Sequence, residues 1–100
     1  MIYTETFIEN ILDWLEENNF TIREYYSYYK LLPFGWITVY FNKDTVRICL
    51  DANLTDKRFS CKREIPLNHF SDKELTGELL KYTLLDICFE YNKKCLFTKE

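Results

Sequence analysis

A chain of 100 residues that is 47% hydrophobic and 18% aromatic makes one domain with a modest core of its own, and this composition excludes a disordered polymer. The formal charge is −3 and the pI about 5.2, which opposes indiscriminate attraction to nucleic acid. No apolar run approaches the roughly 18 residues of a helical membrane span.

Taken in order, residues 4–18 have helical periodicity. Thr4 suits the N-cap, and Phe7, Ile8, Ile11, Leu12, Trp14 and Leu15 fall on one side. Glu5, Glu9, Asp13 and Glu16 fall on the other, and with Glu17 they give residues 1–22 a charge of −5 without one base. Like charges at i, i+4 cost a few tenths of a kcal/mol each. The ridge reads as a solvated face, as a docking strip for a basic partner, or as a mimic of nucleic-acid phosphates.

Asn18 and Asn19 end this helix, and residues 20–29 carry the β-branched and aromatic residues of a strand. Pro33 and Gly35 then mark a turn within 30–35, leading to a strand over 36–42. A short hairpin turn at 42–44 opens a third strand over 45–51, and 57–65 forms the last, closed by Pro66. Alternation turns Ile37, Val39 and Phe41 the same way as Val46, Ile48 and Leu50.

The long apolar stretch 70–91 is the main helix. Ser71 and Glu74 have capping-box spacing, and Phe70 and Leu75 stand at staple positions. Leu80, Leu84, Ile87, Cys88 and Tyr91 form one stripe; Leu75, Tyr82, Leu85 and Phe89 form a second. The first stripe meets the sheet, and the second requires the first helix or another copy of the chain. Gly77 inside this helix permits a close neighbour. Cys95 to Phe97 are apolar enough to pack back onto the domain.

The order α-β-β-β-β-α with short connections predicts a single α+β domain: an antiparallel meander with both helices on one face. The opposite sheet face then carries Arg23, Tyr25, Trp36, Thr38, Tyr40, Arg47 and Cys49. Residues 23–64 have a charge of +3, so the sheet is the basic part of an acidic protein. Tyr, Trp and Arg are enriched at protein interfaces; they also stack bases and hold phosphates in single-strand binders. Cross-strand aromatic pairs that merely stabilise a sheet give the same pattern. The segment 25–36, YYSYYKLLPFGW, adds Leu31, Leu32 and Phe34 at a turn, where they form either an exposed apolar patch or a loop tucked into the core.

Enzyme chemistry finds little support. The single histidine, His69, stands in a turn; Asp44, Asp51 and Asp56 lack metal-loop spacing; and no phosphate-binding glycine loop exists. Cys49, Cys61, Cys88 and Cys95 are widely spaced without CxxC, which favours thiols over disulfides or zinc. The N-terminus lacks a basic region followed by an apolar one, so a cytoplasmic protein without metal or cofactor is expected.

The α-β-β-β-α part of the order is similar to that of double-stranded-RNA-binding domains. Those carry a basic KKxAK-like helix start, whereas this chain has the mildly acidic SDKELTGELL, so the resemblance implies element order and not RNA binding. In size, charge and element order the chain also resembles phage-encoded inhibitors of host nucleases, including some anti-CRISPR proteins. No motif carries that likeness, and no family is claimed. The expectation is a small non-enzymatic protein-binding module, an inhibitor or adaptor of the phage or mobile-element kind. It would act through the aromatic-basic sheet face, the 31–34 turn or the acidic first helix. Homodimerisation is open, and single-stranded nucleic-acid binding is the alternative.

Overall fold

The computed structural model describes residues 2–24, 27–54 and 57–98, with side chains over 6–23, 27–54 and 57–95. Helix α1 (Ile2–Glu17) is followed by strands β1 (Thr21–Glu24), β2 (Ser27–Leu32), β3 (Gly35–Asn42), β4 (Thr45–Asn53) and β5 (Arg58–Pro66). A 3₁₀ turn at Leu67–Phe70 leads into the long helix α2 (Lys73–Thr98). The five strands lie in sequence order, each antiparallel to the next. The domain is thus the expected α+β meander with two terminal helices.

The strand count and several boundaries differ from the sequence reading, since five strands stand where four were expected. The stretch 20–29 is two strands, because β1 turns back on β2 with Thr21 opposite Tyr29 and Glu24 opposite Ser27. Neither Gly nor Pro marks this reversal. Most of the supposed connector 30–35 is instead strand, since β2 reaches Leu32 and pairs with Gly35 across the Pro33–Phe34 turn. Gly35 is required there, as a Cβ would overlap the Asp51 carbonyl of β4.

Helix α1 ends by an asparagine device. Asn19 takes the left-handed region at φ 65°, its N–H bonds to the Glu16 carbonyl, and the Phe20 N–H reaches back to Leu15 at 3.0 Å. This is a Schellman closure, and Phe20 completes it by packing on Trp14 with ring centroids 6.1 Å apart. The start of α2 is shifted one residue from the predicted cap. Asp72, not Ser71, is the cap, its Oδ1 accepting from the Leu75 N–H at 3.0 Å. The Phe70–Leu75 staple is absent, since Phe70 is buried and Leu75 is exposed. Thr4, the expected first cap, is instead inside the first turn of α1, which begins at Ile2, and the side chains of Leu96 and Phe97 lie outside the described residues.

Both helices cover one sheet face. Ile37, Val39, Val46, Ile48, Leu50 and Ala52 are buried there with Ile11 and Leu15 of α1 and Leu80 and Ile87 of α2. α1 is tied to the 3₁₀ turn by the Asn10 amide, which donates to the Phe70 carbonyl at 2.8 Å. Lys30 of β2 donates to the Asn18 carbonyl at 3.0 Å, pinning the end of α1 to the sheet. Gly77 lets the helices approach: a Cβ there would stand 3.1 Å from Trp14 Cδ1.

Candidate partner-binding face

The strand register assembles the face away from the helices in three cross-strand rows. The first runs Ser27, Tyr40, Arg47, Glu64; the second Tyr29, Thr38, Cys49, Lys62; the third Leu31, Trp36, Asp51, Ser60. Pleating sends alternate residues to opposite sides, so burial of Ile37, Val39, Ile48 and Leu50 forces their neighbours outward.

Two guanidiniums on this face are already engaged. Arg47 Nε and Nη2 bond to Glu64 Oε2 at 2.8 and 2.6 Å, and Nη1 donates to the Tyr40 hydroxyl at 3.0 Å. The Glu64 hydrogen bonds and then the Tyr40 contact push the Arg47 pKa further up, so this side chain is a fixed cation. Arg58 lies 5.4 Å from the Trp36 ring centre and 3.6 Å from Asp51. Both pairs are solvent-accessible, so they order the surface more than they stabilise it.

Arg23 stands apart. It lines a shallow pocket of about 310 Å³ with Tyr29, Leu31 and Trp36, and it has no carboxylate partner among the described residues. Leu31 is 73% exposed at the pocket's edge. Lys62, in the middle row of β5, also lacks an ion-pair partner among them. An apolar pocket with one uncommitted guanidinium can take an apolar side chain next to a carboxylate.

The predicted turn patch divides. Leu31 faces outward, whereas Leu32 is half-buried against the core. Phe34 stacks on Tyr91 of α2 with centroids 4.4 Å apart, and Phe59 meets the same ring edge-on at 5.5 Å. Leu32 and Phe34 therefore tie the β2–β3 turn to the helix layer and leave only Leu31 on the candidate face. Tyr25 lies outside the described residues. Sequence reading missed Tyr29 and the whole β5 contribution of Arg58, Lys62 and Glu64, although the alternation in RFSCKREI carried that signal.

Glu9, Asp13 and Glu16 are exposed along α1 as expected, on the far side of the sheet from Arg23 and Trp36. The Glu5 side chain lies outside the described residues. Asp13 approaches Lys73 at 3.7 Å, both groups exposed. The acidic ridge and the basic sheet face are separate surfaces and do not form one site.

Cys49, Cys61, Cys88 and Cys95 are free thiols. Burial, then the Asp51 charge, push the Cys49 thiol up, and burial does the same for Cys88, which keeps both protonated and poor nucleophiles. His69 is exposed on the 3₁₀ turn. Among the described residues no group of three His, Cys, Asp or Glu side chains is placed to hold a metal ion, and no helix is long and apolar enough to cross a membrane. No protein-family description, curated protein or solved structure matches this chain.

Proposed function

We propose that this chain is a non-enzymatic protein-binding module of the cytoplasm, an inhibitor or adaptor, and that it works through the outer sheet face. The observation that carries this reading is Arg23, which has no carboxylate partner among the described residues, beside the apolar pocket of Tyr29, Leu31 and Trp36. A guanidinium next to an indole, a phenol and an exposed leucine has the composition of an interface hot spot. The segment it fits is acidic, with a large apolar side chain adjoining the carboxylate. Four thiols suit a reducing compartment.

Selection of displayed random peptides on the immobilised protein tests this. Enriched sequences are expected to pair Asp or Glu with a large apolar residue, and to lose binding to Arg23→Ala and to Trp36→Ala. Absence of enrichment, or binding indifferent to both substitutions, overturns the reading. A labelled single-stranded oligonucleotide serves as the contrasting ligand. Tight binding at low salt that falls steeply with added salt and with Arg47→Ala would replace the protein partner by nucleic acid.

A further inference from the structure

The second apolar stripe of α2 has no partner among the described residues. Leu75, Tyr82, Leu85 and Phe89 are 55–62% exposed, while Leu80 and Ile87 on the opposite side have no accessible surface. At 1.5 Å per residue the stripe runs about 21 Å along the helix. It is a ridge between two hollows. One, of about 220 Å³, has Trp14, Phe20, Leu84 and Cys88 in its walls, with Leu85 at its edge. The other, of about 410 Å³, lies between α2 and β5 and is lined by Ile65, Leu79 and Tyr82 together with Arg63, Glu64, His69 and Asp86.

We infer that this face is the contact between two copies of the chain, paired antiparallel along α2. A surface that presents an apolar ridge beside hollows with partly apolar walls is complementary to itself, because a twofold axis seats each ridge against the other copy's hollow. Electrostatics selects the same occupant. Over Lys73–Thr98 four lysines balance four carboxylates, so two copies of α2 meet without net repulsion. α1 carries five acids and no base and repels its own copy. On the outer sheet face the groups without an ion-pair partner among the described residues, Arg23 and Lys62, are both cationic.

The direction of pairing follows from where the charges sit. Glu74 and Glu78 stand in the first half of α2, and Lys93 and Lys94 near its end. Antiparallel helices with Tyr82 of one copy opposite Leu85 of the other bring Glu74 to the level of Lys93. Parallel helices would set Lys93 and Lys94 against themselves and align the two macrodipoles unfavourably.

Analytical ultracentrifugation across a concentration series is the test. The wild-type chain is expected at twice its mass of 12.2 kDa. Leu85→Glu with Phe89→Glu should weaken association at least about 100-fold while leaving the circular dichroism spectrum and melting midpoint of a folded monomer. Lys93→Glu alone should weaken it several-fold, and adding Glu74→Lys to that chain should restore it. Trp36→Ala, on the other side of the sheet, should dimerise as wild type, which separates this contact from the proposed partner site. A wild-type chain that stays monomeric up to about 1 mM overturns the inference. So does association that survives the Leu85/Phe89 variant, fails to recover in the charge swap, or is lost in Trp36→Ala.

Discussion

On the helix side of β4, Val46, Ile48 and Leu50 have no accessible surface; one position along the same strand, Arg47 holds Glu64 and Tyr40 in view of solvent. The two faces of one sheet are built on opposite terms. The inner face is aliphatic and contributes by removing area from water, so its residues are interchangeable only with others of like volume. The outer face is assembled from planar and charged groups whose mutual contacts are exposed and individually weak. A surface so organised contributes little to stability, which leaves its chemistry free for recognition.

Substitutions separate the two faces by size of effect. Ile48→Ala removes a fully buried side chain and should cost about 2–5 kcal/mol. That is enough to lower the melting midpoint by more than about 10 °C in a domain of this size. Gly35→Ala comes next at about 1–3 kcal/mol, because the added methyl meets the Asp51 carbonyl and the Ala52 side chain; denaturant titration measures it. Trp36→Ala should cost at most about 1 kcal/mol by the same titration while abolishing selection of acidic peptides. A loss on the scale of Ile48→Ala would show that the outer face is a second core and end the contrast.

A pH prediction sharpens it further. Cys49 sits on the outer face yet is only 7% exposed, and its thiol is raised above the ordinary 9.0. A raised thiol favours the folded state while protonated, so its contribution is complete below the unfolded-state value and declines as pH rises through the folded one. Stability followed by chemical denaturation should therefore begin to fall near pH 9. That alkaline loss should be smaller in Cys49→Ala. At pH 8, Cys49 should also react with a thiol reagent more slowly than Cys61, whose thiol is less buried.

The smallest expected change is at the helix ridge. Tyr82→Lys in the monomer should alter stability by less than about 0.5 kcal/mol, since Tyr82 is 62% exposed. A larger loss would mean that the stripe is packed within the chain, as the sequence reading also allowed.

Much of this architecture was legible in the residues. Period-two alternation placed Ile37, Val39, Val46, Ile48 and Leu50 inward and Trp36, Tyr40 and Arg47 outward, and the burial pattern agrees. The helical periods of both terminal segments marked Ile11, Leu15, Leu80 and Ile87 as core. The reversal between β1 and β2 was hidden because the stretch 20–29 is rich in β-branched and aromatic residues and holds neither Gly nor Pro. The α2 cap was misplaced because Ser71 and Asp72 are both good caps, and only the backbone path from the 3₁₀ turn chooses between them.

The sequence by itself determined the order of elements, which side of each strand and helix is apolar, and the charge carried by each surface. These are local properties, set by spacing along the chain. Tertiary structure alone decided which charges are spent. Arg47 meets Glu64 across 17 residues and Arg58 meets Asp51, while Arg23 is left beside Trp36. It decided too that Phe34 stacks on Tyr91 and that the second stripe of α2 faces outward. Such outcomes depend on distances between segments remote in sequence, and strand register and helix docking fix those distances only when the whole chain closes around one core.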